Sequence, residues 1–233
     1  MIDGKKVLGI ITARGGSKSI PRKNLKLMAG KPLIAWTIAE AHSSRFLDRL
    51  ILSSDDEEII EVANTWGCEA PFVRPTELAC DDTPGIDPVI HALNVIGEHY
   101  DYIVLLQPTS PLRTTADIDG CINYCVQEDA PVCVSVCLAA QNPYWMHTLD
   151  DRHRIRPLLN PKKAIERRQE TPPVFVENGA VYVAQTDFLL KEKSFITAET
   201  LAYIMPPDRS WDIDDERDFL FCALLKSQAR HDG

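Results

Sequence analysis

The sequence predicts an α/β fold, in which a mostly parallel sheet carries helices on both faces. Its 233 residues are enough for one large domain with a sizeable core. From the N-terminus onward, short apolar runs alternate with segments of helical periodicity. The runs are nearly continuous, as in strands that are buried on both faces. This alternation is typical of consecutive βα units, whose binding site lies at the carboxyl ends of the strands.

The first half of the chain contains four predicted strands and the helices that connect them. The strands are expected at residues 6–12, 50–54, 102–106 and 132–136. Pro32 is expected to open the first helix, and the acids at 55–58 should begin the second, which ends near Gly67. Two more helices are expected at residues 86–98 and 115–128.

The alternation breaks after about residue 139. Residues 140–175 hold several prolines, a cluster of Arg and Lys, and the aromatic pair Tyr144 and Trp145. We interpret this stretch as a small inserted dimerisation subdomain within a single domain that spans residues 1–233. Regular structure should resume with strands at residues 179–183 and 202–205 and end with a helix at 215–228.

Composition narrows the function classes. The net charge of −9 argues against non-specific binding to nucleic acid, which requires a basic face. The apolar run at residues 7–13 is too short to cross a bilayer, and no secretory signal is expected. The seven cysteines are odd in number and form no CxxC pair, so we expect small, reduced core residues in a cytoplasmic protein.

The first predicted strand runs into a glycine-rich, basic loop at residues 13–24. Its paired glycines, Gly15 and Gly16, let the backbone turn sharply and point N–H groups at an anion. Three cations there can neutralise a polyphosphate: Arg14, Lys18 and Lys23. The loop matches neither GxxxxGK[ST] nor GxGxxG. It indicates phosphate binding, and a solvated basic turn is the alternative.

A second signal is acidic. In an extended segment, Asp212 and Asp214 lie on one side of the chain and can hold a hard divalent cation together with phosphate oxygens and water. Asp215 and Glu216, which follow, suit the start of a helix. An acidic helix N-terminus without metal is the alternative interpretation.

The third signal is the sequence LQPTSPLR at residues 106–113. A strongly apolar strand that runs into polar residues between two prolines is suited to the wall of a rigid site. Gln107 offers an amide that both donates and accepts hydrogen bonds. An ordinary βα turn with a Ser or Thr cap is the alternative.

Five motifs stand in one order along nearly the whole chain: ARGGSKxxPxKN, RPxELA, LQPTSPLR, RRQxxPPxFxxNGAxYV and DIDDExD. Together they resemble the acylneuraminate cytidylyltransferases, also called CMP-sialic acid synthetases. The resemblance implies a Rossmann-like nucleotidyltransferase fold, a homodimer, Mg²⁺ and CTP as substrate. It further implies attack of a sugar's anomeric C2 hydroxyl on the α-phosphorus of CTP, with pyrophosphate leaving.

The resemblance also implies site residues by position. The triphosphate would be bound by Arg14, Lys18 and Lys23, beside Gly15, Gly16 and Ser17. Cytosine would be bound by Asn24, Arg74 and the loop 81–85, with Thr83 and Gly85. The acidic sugar would be bound by Gln107 and Phe195 of one subunit together with Arg168 of the partner subunit. Mg²⁺ would be held by Asp212 and Asp214, and catalysis would depend on Arg14, Lys18 and Asp214.

Two departures from the family pattern leave the sugar open. Thr83-Pro84-Gly85 replaces a serine-rich stretch near the pyrimidine, so backbone contacts to cytosine are expected. Tyr144 follows Pro143 where some sialic acid enzymes carry a lysine. The resemblance implies a sialic-type nonulosonic acid as acceptor, but the missing lysine argues against N-acetylneuraminate itself. Legionaminic and pseudaminic acid are the alternative acceptors. Three competing hypotheses stay open: a Kdo cytidylyltransferase, a non-catalytic nucleotide-binding module and a glycosyltransferase with a DxD motif.

Overall fold

The computed structural model of the protein describes residues 1–159, 167 and 171–228. Its strands in that part of the chain are β1 (Val7–Thr12), β2 (Leu27–Met28), β3 (Lys31–Pro32), β4 (Arg49–Ser53), β5 (Tyr102–Leu106), β6 (Val132–Leu138), β7 (His147–Leu149), β8 (Ile155–Pro157), β9 (Phe175–Gln185) and β10 (Thr200–Ile204). The helices are α1 (Leu33–His42), α2 (Glu57–Thr65), α3 (Asp87–Ile96), α4 (Thr115–Gln127), α5 (Thr186–Glu192) and α6 (Glu216–Gln228).

Six strands form one twisted central sheet in the order β10-β6-β9-β5-β1-β4. β1 is parallel to both of its neighbours, β4 and β5, and β10 is parallel to β6. β9 is antiparallel to β5 and to β6, between which it lies. The predicted mostly parallel α/β sheet is confirmed, with one reversed strand that the sequence pattern did not indicate.

Helices cover both faces of the sheet, as predicted. On one face, apolar side chains of α1, α2 and α4 pack in a single cluster against the sheet. On the other face, α3 and α5 form a second cluster. The inner strands β1 and β5 are buried along nearly their whole length because helices pack on both sides of them.

A third apolar cluster brings distant segments together at one edge of the fold. Ile20 of the basic loop and Ile213 of the acidic segment are both fully buried there, with side chains of α1 and α6. Ile213 stands between the two aspartates that were predicted to bind metal. Burying this isoleucine therefore fixes the acidic segment against the body of the protein.

Between β6 and β9 the chain leaves the central sheet. β7 and β8 pair as a separate antiparallel hairpin, and every residue of both strands is exposed. This hairpin lies within the predicted insertion at residues 140–175. The prediction that all cysteines are core residues is wrong for Cys80, which is exposed, whereas the other six are buried and all seven are free. No helix in the described part of the chain is long and apolar enough to cross a bilayer.

Candidate functional site

A cleft of about 510 Å³ opens at the carboxyl ends of β1 and β5. Parallel strands place their C-terminal loops at one edge of the sheet, which is why segments distant in sequence meet here. Most of the residues predicted for the nucleotide line it: Arg14, Ser17, Lys18, Lys23, Asn24, Arg74, Thr83 and Gly85. Gln107 and Asp214 complete the predicted residues in its wall. The structure therefore brings most of the predicted site residues together in one cleft.

Gly15 and Gly16 stand behind this lining. A side chain at Gly15 would collide with the carboxylate of Asp56, so the close approach of loop and helix α2 requires glycine there. The Gly15 N–H donates to Asp55 Oδ1 at 3.3 Å. Gly16 is exposed and has open space around its Cα. Of the two amides expected to face an anion, that of Gly15 is thus directed to a carboxylate of the protein.

Two buried polar side chains hold the walls of the cleft. Asn24 donates from Nδ2 to the Arg14 carbonyl at 3.1 Å, which closes the basic loop on itself. Arg74 is only 4% exposed and donates to Asp55 Oδ1 at 3.0 Å. Both side chains therefore have a structural role in shaping the cleft, and contact with cytosine stays a prediction for each.

Lys23 links the basic loop to the acidic segment. Its Nζ donates to the Ile213 carbonyl at 2.7 Å, between the two aspartates. Burial lowers the pKa of the Lys23 ammonium, although Asp212 and Asp214 raise it in part. A cation and two carboxylates that are 190 residues apart in sequence thus meet at one point of the cleft.

The two aspartates differ in environment. Asp214 is exposed and lines the cleft, whereas Asp212 lies deeper and its Oδ1 is buried without a hydrogen-bond partner among the described residues. Burial, with repulsion from Asp214, raises the pKa of Asp212 against the lowering effect of Thr109 and Lys23. An unpartnered buried carboxylate oxygen is costly unless a cation or a donor binds there.

Gln107 and Asp212 meet across Gly179. A Cβ on Gly179 would lie 3.2 Å from Gln107 Oε1 and 3.4 Å from Asp212 Oδ2. The backbone φ of Gly179 is +69°, a value that residues other than glycine rarely adopt. Thr109 donates to Gln107 Oε1 at 3.4 Å, and its carbonyl accepts from the Ile213 N–H at 2.9 Å. The predicted sugar residue and the predicted metal residues therefore form one continuous surface.

Phe195 lies apart from the cleft lining. It is 7% exposed in the core, and its ring packs against Tyr182 with centroids 5.3 Å apart. Burial raises the pKa of Tyr182 to about 12, with further contributions from the negative charges of Glu177 and Asp212. Phe195 thus supports an aromatic side chain beside the acidic segment, and its own contact with sugar stays a prediction.

Sequence reasoning missed several participants. Asp55 follows β4 at the same sheet edge as the basic loop, and the rule that parallel strands end together could have found it. Tyr182 and Gly179 belong to β9, whose reversed direction brings them to this edge. Asp81 was predicted only as part of the cytosine loop, and its ion pairs with Arg14 and Lys18 were not foreseen. Arg168 lies outside the described residues.

A family model described as cytidylyltransferase matches residues 8–210. The chain belongs to the cytidylyltransferase family. This confirms the predicted family and the predicted class of enzyme, a CTP-dependent nucleotidyltransferase. The match spans the basic loop, the predicted insertion and every residue of the cleft lining except Asp214, and it ends two residues before Asp212.

Curated relatives and a solved structure agree with this family. The chain is 32% identical to CMP-N,N'-diacetyllegionaminic acid synthase of Legionella pneumophila over 94% of its own length and 96% of that protein. It is 34% identical to N-acylneuraminate cytidylyltransferase of Streptococcus agalactiae over 92% of its length, but it spans only 52% of that protein.

A structure of CMP:2-keto-3-deoxy-manno-octonic acid synthetase complexed with CTP superposes with a TM-score of 0.73. The superposition covers 96% of this chain and 99% of the other, at 16% identity. At this identity the likeness shows the fold alone. It confirms the predicted Rossmann-like nucleotidyltransferase fold.

Proposed function

We propose that this cytidylyltransferase transfers CMP from CTP to the anomeric hydroxyl of a nonulosonic acid and releases pyrophosphate. The observation that carries the proposal is the junction at Lys23, where the basic loop meets the acidic segment and the two enter one cleft with Gln107. Triphosphate binding needs the cations, and a nucleophile must reach the α-phosphorus from the opposite side. The activities named for the two curated relatives support the same chemistry.

The residues divide the work as follows. Arg14 and Lys18 bind the β- and γ-phosphates and stabilise the charge that grows on the departing pyrophosphate. Gln107, at the far wall of the cleft, binds the sugar acid and directs its C2 hydroxyl at the α-phosphorus. Bond formation from that hydroxyl oxygen and loss of pyrophosphate occur in line, so positioning accounts for most of the catalysis.

Mg²⁺ fits the acidic segment. Oxygen ligands suit this hard cation, and Asp212, whose buried Oδ1 has no hydrogen-bond partner among the described residues, would hold it together with Asp214. The described residues contain no cluster of three or more His, Cys, Asp or Glu that could hold a metal. A site of Asp212 and Asp214 completed by phosphate oxygens and water is consistent with that. When bound, the ion supplies Lewis-acid polarisation of the phosphate and orients it.

We also propose that the protein works as a cytoplasmic homodimer. Around the β7–β8 hairpin, large apolar side chains are exposed: Trp145, Met146, Leu149, Ile155, Phe175 and Val176. A patch of this kind on one subunit supports burial against a second copy. The seven free cysteines support a reducing compartment, because Cys121 and Cys133 remain unbonded with their Sγ atoms 3.8 Å apart.

The test is a substrate panel. The protein is incubated with CTP, Mg²⁺ and, in turn, N-acetylneuraminate, legionaminic acid, pseudaminic acid and Kdo. Pyrophosphate release and the mass of the CMP-sugar are followed, with Asp214→Asn as the inactive control. The proposal predicts product with at least one of the three nonulosonic acids. Turnover of Kdo alone, or of none of the four, contradicts it.

A further inference from the structure

The hydrogen-bond ladder between β5 and β9 stops one step short of the cleft. Its last described pair is Leu105 with Tyr182. Continued by two residues, the register would pair Gln107 with Ala180. Instead, the carbonyls of both residues accept from one atom, Arg113 Nη1, at 3.2 and 2.7 Å respectively. A guanidinium therefore replaces the backbone ladder at the point where the two strands enter the site.

Arg113 is held in this place from the other side. It is only 1% exposed, and its Nη2 donates to Thr37 Oγ1 in helix α1 at 2.6 Å. The Thr37 hydroxyl in turn donates to the Gln107 carbonyl at 3.4 Å. Among the described residues, no carboxylate lies within ion-pair distance of Arg113, so its donors are directed to carbonyl and hydroxyl oxygens.

The guanidinium keeps its charge despite this burial. Burial lowers the pKa of Arg113 to about 10, and attraction by Glu40 and Asp117 limits the decrease. At neutral pH it is therefore protonated, and the three hydrogen bonds from Nη1 and Nη2 come from a charged donor. Hydrogen bonds from a charged donor are stronger than those between neutral groups, and more so away from water.

On the far side of Arg113, strand β9 bulges. Its pairing with β6 shifts register between Val134 and Val136, and Gly179 takes its positive φ within this stretch. We name residues 178–181 the β9 bulge. Ser135 fixes one flank: its hydroxyl donates to Asn178 Oδ1 at 2.6 Å and accepts from the Val181 N–H at 2.8 Å. Arg113, bound to the Ala180 carbonyl, fixes the other flank.

These contacts place Arg113 between two walls of one site. Gln107 forms the first wall, and the β9 bulge, where a side chain on Gly179 would meet both Gln107 and Asp212, forms the second. The group that bridges the carbonyls of Gln107 and Ala180 sets the distance between the two walls. A regular ladder would draw the strands together, whereas the broader guanidinium separates them.

We propose that Arg113, oriented by Thr37, is a positioning residue that sets the separation of Gln107 from the β9 bulge and thereby the fit of the acidic sugar. Arg113 touches neither substrate in this role and acts through the two carbonyls. The inference rests on the proposed function, since it assigns this wall to the sugar. It leaves the CTP side of the cleft unaffected.

The experiment uses near-isosteric changes at Thr37, which are gentler than removal of a buried arginine. Thr37→Val removes the hydroxyl, Thr37→Ser keeps it, and Arg113→Lys keeps the charge but loses the fork. Thr186→Val is the matched control, because Thr186 is also buried and donates to a carbonyl, that of Tyr100, at the opposite end of β5. Each variant is assayed for the KM of the sugar acid, the Kd of CTP and the hydrogen exchange of residues 176–183.

Thr37→Val and Arg113→Lys are expected to raise the sugar KM by about tenfold or more, since small misplacements of positioning groups have effects of that order. The Kd of CTP should stay unchanged in both variants. Thr37→Ser should have the sugar KM of the wild type. Amide hydrogen exchange of residues 176–183 should be faster in Thr37→Val and Arg113→Lys alone. If Thr37 and Arg113 had a purely structural role, the variants would instead weaken the binding of both CTP and the sugar acid. Thr186→Val would then have the same effect.

The two hypotheses fail in different ways. If the wild-type protein turns over a sugar acid but Thr37→Val leaves its KM unchanged, the positioning role is wrong and the proposed function stands. If the wild-type protein turns over no sugar acid, the proposed function is wrong. In that case, amide hydrogen exchange of residues 176–183 alone decides whether Thr37 and Arg113 hold the β9 bulge. If the exchange rates of the variants equal those of the wild type, the positioning role is wrong as well.

Discussion

Arg14 donates to the carboxylate of Asp81 across 2.8 Å, and Lys18 pairs with the other oxygen of the same carboxylate. Two of the three cations predicted to bind triphosphate are thus paired with one loop carboxylate, which offsets only one of their two positive charges. Hydrogen bonds from Lys18 and Arg14 hold the pKa of Asp81 below its ordinary value, so it is ionised at neutral pH. The phosphates of CTP must therefore compete with the Asp81 carboxylate for Arg14 and Lys18.

The first prediction follows from that competition. Asp81→Asn should lower the Kd of CTP a few-fold, because the loop cations no longer need to leave a carboxylate. The gain should shrink at high salt, which screens exposed charges. Calorimetric titration with CTP at two ionic strengths measures both effects, with Asp151→Asn, at an exposed aspartate that does not line the cleft, as the control. Weaker binding by Asp81→Asn would mean instead that Asp81 contacts the nucleotide directly.

The second prediction concerns the acidic segment. Asp214→Asn should reduce turnover by about 100-fold or more, since it removes an expected ligand of Mg²⁺. The Tm should change little because Asp214 is exposed. Steady-state rates across a Mg²⁺ titration provide the measurement, and Asp208→Asn is a control at another exposed aspartate nearby. A near wild-type rate at saturating Mg²⁺ would exclude Asp214 as a ligand.

The third prediction separates binding from catalysis at the basic loop. Lys18→Ala should lower kcat by about 10- to 100-fold, and by a larger factor than it raises the KM for CTP, because charge on pyrophosphate increases in the transition state. Its side chain is 80% exposed, so the fold should be intact. Lys191→Ala, at a distant exposed lysine, is the control. A raised KM with unchanged kcat would make Lys18 a ground-state binder.

The fourth prediction is a pH dependence of stability at Asp117. Its carboxylate pairs with Arg209 at 2.9 Å. Burial alone would raise the pKa of Asp117, but hydrogen bonds from Arg209 and Thr114 bring it below the ordinary 3.8. The ionised group therefore stabilises the fold above pH 3.8, and this contribution is lost as the pH falls through the lower folded-state value.

Asp117→Asn should accordingly cost roughly 1–3 kcal/mol of unfolding free energy at pH 7. The difference in unfolding free energy between the variant and the wild type should decrease once the pH falls below about 4. Urea unfolding at a series of pH values measures it, and Asp208→Asn should show little cost at any pH. A difference that stays constant down to about pH 2 would show that the pKa of Asp117 is not lowered in the folded protein.

The sequence predicted the parts of the site that follow from strand order. Apolar runs located β1 and β5, and the parallel rule placed the basic loop beside Gln107. Extended alternation around Asp212 and Asp214 was sufficient to suggest an acidic pair. Local pattern and sheet topology determine where these residues lie, so the structure brings them to one edge of the sheet; their contacts with substrate and metal stay predictions.

Other features depend on pairing that no local pattern encodes. An apolar run at β9 gives no sign of its direction, and its bulge arises from side chains such as Ser135, which is remote in sequence. Arg113 follows a predicted turn, where an arginine is ordinarily exposed, yet it is buried at 1% exposure. Phe195, which was predicted to bind sugar, is buried and packs against Tyr182. Burial of this kind is a property of the assembled fold.

The last prediction tests whether two subunits share a site. The exposed apolar side chains around the β7–β8 hairpin support a two-fold dimer, and family resemblance suggests that Arg168 of the partner subunit reaches the sugar carboxylate, which a guanidinium fork binds well. Arg168→Ala and Asp214→Asn should each be inactive alone. In a mixed dimer one site would carry both defects and the other neither.

Mixing the two inactive proteins should therefore restore activity, up to about a quarter of the wild-type rate when equal amounts exchange at random: half of the dimers are then mixed, and one of the two sites in each is intact. Native mass spectrometry verifies the exchange, and pyrophosphate release measures the activity. Mixing Asp214→Asn with Lys18→Ala is the matched control, because both residues line one cleft of a single chain and each site of that mixed dimer keeps one defect. Verified exchange without recovered activity would place Arg168 in the site of its own subunit or outside the site altogether.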